Sequence, residues 1–224
     1  MEQPIKPVKS GDHIPYHCQM CGECCRHVKE HIMLEPLDAY HLGQFLQKSG
    51  VLETVDEVYA KFAHPVMLAE GFPIFVLNTQ GKDDSCVFLR DGRCSIYEAR
   101  LRVCRLYPLT VSSGVRGKKF EFYQCLDRHA DHFVDHAITV KDWTYQNFTK
   151  EDRLYFEREA QIVPQIGKLI RAMTKEQQMS ELFHVLFYRY YNYDLGQPFM
   201  EQYDRNHAAL LAALRGCCEK EVQI

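Results

Sequence analysis

The sequence predicts an α+β protein. A small cysteine-rich α+β half, residues 1–126, is expected to fold around a metal or cluster site. A mainly helical half, residues 127–224, is expected to pack on it as one integrated domain. Three observations lead there. Eight of the ten cysteines fall within the first 125 residues, four of them in Cys18-Gln-Met-Cys21-Gly-Glu-Cys24-Cys25. The same half carries short aromatic and β-branched runs separated by turn residues, as strands do. After Leu126, apolar residues recur at helical spacing behind capping signatures.

Taken in order, Pro4, Pro7, Gly11 and Pro15 mark residues 1–17 as an extended lead-in. Beyond the cysteine loop, His27–Leu34 is expected to form a short strand. Pro36 suits the first turn of a helix and Gly50 its far end, with Leu37, Leu42, Phe45 and Leu46 as its apolar stripe. Val55, Val58, Tyr59 and Phe62 stand at i, i+3, i+4 and i+7 and predict a second helix. Phe72–Leu77 has strand character. In Cys86-Val-Phe-Leu-Arg-Asp91-Gly92-Arg-Cys94, Asp-Gly predicts a hairpin that draws the two cysteine ends together. Ser95 is expected to cap one or two helical turns running toward Cys104, which Pro108 stops. Lys119–Cys125 alternates as a strand.

In the second half, Thr149-Lys-Glu-Asp152 and Thr174-Lys-Glu-Gln177 read as capping boxes. Behind the latter, Met179, Leu182, Phe183, Leu186, Phe187 and Tyr190 predict a buried helical stripe. Gly196-Gln-Pro198 interrupts the chain before a last helix faced by Phe199, Tyr203, His207, Leu210, Leu211 and Leu214. The run Tyr188–Tyr193 reads as core, and Cys217-Cys218 as helix packing and an incidental thiol.

At 224 residues, 46% hydrophobic and 25% charged, the chain has a globular composition and can bury an ordinary core. A formal net charge of −3 gives no basic field to recommend nucleic acid. The first residues hold no apolar run of the secretory kind, and no stretch has the length of a membrane span. The expected location is therefore cytoplasmic, a reducing compartment where clustered cysteines serve metals or redox chemistry rather than structural disulfides.

Three cysteines at C-x-x-C-x-x-C with a distant fourth is a ligation pattern of iron–sulfur proteins. Cys18, Cys21, Cys24, Cys25, Cys86, Cys94, Cys104 and Cys125 are the candidate ligands. The side chains of adjacent Cys24 and Cys25 are expected to diverge and to serve different centres or different roles. Eight thiolates suffice for two four-sulfur sites, or for one cluster with further buried or redox-active thiols. Zinc favours paired C-x-x-C knuckles, whereas the run of spacings here favours a [4Fe–4S] centre. Arg100, Arg102 and Arg105 surround Cys104, where cations would lower thiol pKa values and offset the charge of a sulfur-rich centre.

The order Cys18-x-x-Cys21-x-x-Cys24-Cys25, then Cys86, then Cys94-Ser-Ile-Tyr97-x-x-Arg100, then Cys104-Arg105-Leu-Tyr107-Pro108 resembles the C-x-x-C-x-x-C-C cysteine-cluster family. That family is described as zinc- or iron-chelating and includes relatives of flagellin lysine N-methylase. The resemblance covers roughly residues 16–126. Where the family usually has Arg-Pro, this chain has Arg100-Leu101. The resemblance implies metal binding by the cysteines, as an iron–sulfur cluster or zinc, with Tyr97, Tyr107 and Pro108 packed over the site. Three functions stay open: a cluster-binding protein with a redox role, a cluster-dependent protein (lysine) methyltransferase or oxidoreductase, and a structural zinc protein. The corresponding partners are the metal or cluster itself and a protein substrate or redox partner. No Gly-rich turn stands out to hold a nucleotide-like methyl donor.

Cys125, His129, His132 and His136 stand at i, i+4, i+7 and i+11 and would share a helix face. A solvated polar face is the simpler account, and a second metal the alternative.

Overall fold

The computed structural model describes residues 5–68, 71–113, 120–126 and 136–219. With 51% helix and 20% strand, the strands concentrated in the first half, the chain is α+β as expected. In chain order its elements are β1 (Ile5–Val8), β2 (His13–Pro15), α1 (Pro36–Lys48), α2 (Val55–Phe62), β3 (Ala63–Met67) and β4 (Pro73–Leu77). Four two-residue strands follow, β5 (Thr79–Gln80), β6 (Ser85–Cys86), β7 (Leu89–Arg90) and β8 (Arg93–Cys94). Then come α3 (Arg102–Leu106), β9 (Leu109–Ser113), β10 (Phe120–Cys125) and β11 (Ala137–Thr139). The remainder is helical, in α4 (Val140–Asn147), α5 (Lys150–Ala172), α6 (Lys175–Leu186) and α7 (Phe199–Glu219), with a π-helical turn at Phe187–Tyr191. Among the described residues no helix is long and apolar enough to cross a membrane.

The chain divides into two compact units, each discontinuous in sequence. One comprises residues 1–32 and 79–158, the other residues 33–78 and 159–224. Residue 126 lies inside the first.

The first unit holds a three-stranded antiparallel sheet in the order β1-β10-β9. Its register sets Val8 beside Phe122 and Phe122 beside Val111, so every second residue of β10 faces the same side. β2 pairs with β11, Ile14 opposite Ile138. Ile14, Tyr16, Leu109 and Val140 form one buried cluster, joined by Tyr107, Trp143 and Cys18. Leu106, Val111 and Phe148 form another, with Phe120 and Phe156 against it. The Trp143 indole N–H donates to the Leu106 carbonyl at 2.9 Å. At the start of α5 the Asp152 N–H donates to Thr149 Oγ1 at 3.0 Å, and the Thr149 N–H to Asp152 Oδ2 at 2.7 Å. The expected capping box is present, with Asp in place of Glu.

In the second unit, Pro36 opens α1 and Ser49-Gly50 closes it, and Val55, Val58 and Tyr59 bury the predicted face of α2. β3 and β4 form an antiparallel ribbon whose Phe75 ring lies 4.5 Å from that of Tyr59 and 5.0 Å from Tyr190. α6 starts with the complete Thr174–Gln177 capping box. Ile166, Ile170, Met173, Val185, Leu210 and Leu214 make the buried helical core, with Cys217 packed against it. Phe199, Tyr203, His207, Leu210 and Leu214 are buried along α7, as the periodicity predicts, and Tyr190 and Tyr193 are core residues.

Three local expectations differ. His27–Leu34 is not a strand. His27 and Glu30 adopt positive φ (53° and 60°), which breaks the extended backbone, and only Met33 makes an isolated bridge. Ser95 caps no helix, because its hydroxyl donates to the Phe88 carbonyl at 2.9 Å; a 3-10 turn forms at Tyr97–Ala99 and α3 begins at Arg102. The α6 stripe is split. Met179 is 73% and Phe183 67% exposed, while Val185 carries the burial. The change to π geometry at Phe187 rotates the later residues off the ideal α stripe.

Candidate metal centre

The cysteine loop is seated by one glycine. Gly22 has φ 75° and precedes the 3-10 turn Glu23–Cys25, whose Cys25 N–H donates to the Gly22 carbonyl at 3.0 Å. A Cβ on Gly22 would stand 2.6 Å from Leu89 Cδ1 and 2.7 Å from the Gly92 carbonyl oxygen. The loop backbone therefore lies directly on the β7–β8 hairpin. That hairpin has Asp91 and Gly92 at φ 49° and 72°, the two left-handed positions of a two-residue turn, with Leu89 opposite Cys94.

Polar groups fasten the other side. Arg26 Nη1 reaches Asp83 Oδ2 at 2.6 Å, and the His27 and Val28 N–H groups donate to the Asp83 and Asp84 carbonyls at 2.8 and 3.1 Å. Gln80 Nε2 donates to the Cys86 and Leu89 carbonyls, tying the segment that carries Cys86 to the hairpin. Asp83, Gln80 and Arg26 belong to no metal-ligand pattern, and spacing alone did not single them out.

The Cys24 and Cys25 side chains meet rather than diverge. The Cys25 thiol hydrogen-bonds to the Cys24 sulfur, which lowers the Cys24 pKa to about 7 with help from Arg100 and raises that of Cys25. Cys25 also feels Cys104 and Cys86, while Cys24 acts on both Cys86 and Cys94. Burial pushes the Cys86 and Cys94 thiols up. Tyr16 feels Cys18 and Cys24, and Tyr97 feels Cys18 and Cys94. The sulfurs of Cys24, Cys25, Cys86, Cys94 and Cys104 thus act on one another, and Cys18 reaches this set through Tyr16 and Tyr97.

Cys21 is half-buried within the loop. Cys125 ends β10 opposite Ile5, with its N–H on the Pro108 carbonyl at 2.8 Å. Cys18, Cys21, Cys24, Cys25, Cys86, Cys94, Cys104 and Cys125 are all free thiols rather than disulfides. Among the described residues no three Cys, His, Asp or Glu side chains are already set to hold a metal ion. In number and type the donors fit a thiophilic metal, and closing on one requires the thiol side chains to rotate.

Of the three arginines around Cys104, Arg100 acts on Cys24 and Cys94. Its guanidinium lies 3.8 Å from the Tyr97 ring centroid, and its Nε donates to the Tyr97 carbonyl at 3.1 Å. Arg105 makes a two-pronged pair with buried Asp152, Nη2 to Oδ1 at 3.0 Å and Nη1 to Oδ2 at 3.2 Å. Arg102 lies 4.2 Å from the Phe156 ring. Arg105 and Arg102 therefore position α3, the helix bearing Cys104, against the start of α5. The Tyr97 hydroxyl points at Cys18 Sγ across 3.9 Å, and Tyr107 packs in the cluster that contains Tyr16 and Cys18. His129 and His132 lie outside the described residues. The His136 ring stands edge-on to His17 at 5.5 Å, and its carbonyl accepts the Tyr16 N–H.

No curated protein and no solved structure matches the chain. The family model described as "Putative zinc- or iron-chelating domain" matches residues 17–132, a segment that holds every cysteine of this neighbourhood, and the chain belongs to that CxxCxxCC family of metal-chelating proteins.

Proposed function

We propose that Cys18, Cys21, Cys24, Cys25, Cys86, Cys94, Cys104 and Cys125 supply the ligands of an iron–sulfur centre of the [4Fe–4S] type, with a redox role. One observation carries this reading. The thiols of Cys24, Cys25, Cys86, Cys94 and Cys104 act on one another, an all-sulfur donor set of which zinc and a [4Fe–4S] cluster would each take four, and the C-x-x-C-x-x-C run from Cys18 to Cys24 inclines the set to the cluster. A cluster takes four sulfurs from such a set, and the remaining thiols stay beside it as hydrogen-bond donors or exchangeable ligands. The coupled Cys24–Cys25 pair suits that division, one sulfur already inclined to the thiolate and its neighbour holding a proton. Bound there, the cluster supplies one-electron chemistry. Arg100 offsets part of its negative charge, and Tyr97, 38% exposed, stands between solvent and Cys18.

Protein purified without oxygen is expected to show broad visible absorption and to contain iron and acid-labile sulfide in matching amounts. Colourless protein with stoichiometric zinc under the same conditions overturns the proposal. It would favour structural zinc, a reading supported by the tight Asp91-Gly92 hairpin that carries Cys94.

A further inference from the structure

We propose that a cleft within the second unit binds a small neutral molecule with an apolar body and a single N–H or O–H donor. The cleft has a volume of about 430 Å³, in the range of small-ligand sites. Phe72, Ile74, Val163 and Ile170 line it with apolar surface, Glu35 and Arg171 also stand on its lining, and Glu159 and Arg189 bring a further acid and base to it.

Those two charges form a pair. Arg189 donates from Nη1 to Glu159 Oε1 at 2.9 Å and from Nη2 to Oε2 at 2.6 Å, and the Tyr203 hydroxyl donates to Oε1 at 2.6 Å. Arg189 Nε reaches the Tyr190 hydroxyl at 3.2 Å, and Nη1 lies 3.3 Å from His207 Nε2. A buried ion pair of this kind is no more stabilising than apolar side chains of the same volume. Packing alone does not call for it. Arg189 is presented by the π-helical turn Phe187–Tyr191, an irregularity found mostly at functional sites.

The chemistry of the pair selects the ligand. Glu159 Oε1 takes two donors and Oε2 only one, so Oε2 has room for another. The Glu159 side chain keeps 17% exposure, and it lines the cleft. Its charge is cancelled by Arg189. The acidic and basic residues of the lining, Glu35 and Glu159 against Arg171 and Arg189, balance in number, so a cation or anion entering the cleft would bring an uncompensated charge onto its apolar surface. A neutral donor completes the Oε2 hydrogen bonds and leaves the charge balance untouched, while the apolar body is taken up by Phe72, Ile74, Val163 and Ile170.

Indole and 1-methylindole test this, because they share a shape and differ in one donor. Calorimetric titration of the full chain is expected to show indole binding about tenfold or more tighter than 1-methylindole, the difference one hydrogen bond to a charged acceptor makes. Val163→Trp, which fills the cleft without touching the ion pair, is expected to abolish indole binding while leaving the melting temperature near that of the parent. Equal affinity for the two probes overturns the proposal. So does absence of indole binding at millimolar concentration, or binding that survives Val163→Trp in a folded chain. The readout involves no metal and is independent of the iron–sulfur reading.

Discussion

Replacing Gly22 with alanine should damage the cysteine loop far more than the same change at Gly92, although both glycines have nearly the same backbone conformation (φ 75° and 72°). The left-handed conformation costs any non-glycine residue roughly 1–2 kcal/mol, and that cost is common to both variants. A Cβ at Gly92 meets nothing within 4 Å. At Gly22 it would stand 2.7 Å from the Gly92 carbonyl oxygen, a backbone atom that cannot step aside by changing rotamer, and 2.6 Å from Leu89 Cδ1. Overpacking of this sort adds about 1–3 kcal/mol, paid in displacement of the loop from the hairpin. The difference between the variants is then about 1–3 kcal/mol, or roughly 2–12 °C in melting temperature for a chain of this size. Melting curves of both metal-loaded proteins, with bound metal per chain, measure it. Gly22→Ala should melt lower and hold less metal, and Gly92→Ala should stay close to the parent in occupancy. Equal effects would refute the seating of the loop on the hairpin.

Arg189→Met should destabilise the chain by about 3–5 kcal/mol, because Glu159 is left charged and enclosed, whereas Arg189→Met combined with Glu159→Met should recover most of that loss in urea unfolding. His207 is held neutral by burial and by Arg189, its pKa pushed down to about 4, so the unfolded chain takes up a proton that the folded one refuses. Its contribution to stability is fully present above about pH 6.5 and is lost as pH falls toward 4, by up to about 3 kcal/mol, so the parent should lose more stability over that window than His207→Gln. If the cysteines hold a metal, chelation should raise hydrogen exchange in residues 18–28 and 83–95 while β3, β4 and the α7 core keep their protection.

What the sequence made legible was local. Asp91-Gly92 announced its hairpin, Thr149 and Thr174 their caps, and Phe199 to Leu214 the buried face of α7, because each signal lies within a few residues of its effect. The cysteines declared themselves by spacing. What stayed hidden depends on partners distant in the chain. No spacing announces that Arg105 pairs with Asp152, 47 residues away. Arg26 similarly belongs to Asp83. His27 and Glu30 sit in a run whose composition favours a strand, and the looped path is held by the bonds from His27 and Val28 to the Asp83 and Asp84 carbonyls and from His31 to the Val28 carbonyl. The joining of residues 33–78 with 159–224 rests on pairings such as the Tyr190 hydroxyl on the Pro73 carbonyl, which no periodicity encodes.

The two units are stabilised in different ways, and this bears on why the thiols cluster where they do. In the second, large rings enclose one another: Tyr59, Tyr203 and Phe199 are each about 1% exposed or less, and Phe75 packs on Tyr59 and Tyr190. Burial on that scale holds a fold together without help. Around the cysteine loop the elements are β5 to β8, two residues each, and two 3-10 turns of three residues. Strands so short contribute few ladder hydrogen bonds and little apolar area, and an isolated pair of them is not independently stable. Two buried clusters of that unit lie under β2, β9, β10 and α4 and reach the loop through Tyr16, Tyr107 and Cys18, while Phe88, Leu89 and Ile96 are buried beside the hairpin. A metal drawing its ligands from Cys24, Cys25, Cys86, Cys94 and Cys104 would join those short segments by links stronger than their few ladder hydrogen bonds. The doubled cysteine would then act as both ligand source and fastening, next to Gly22, whose missing side chain lets the loop approach the hairpin.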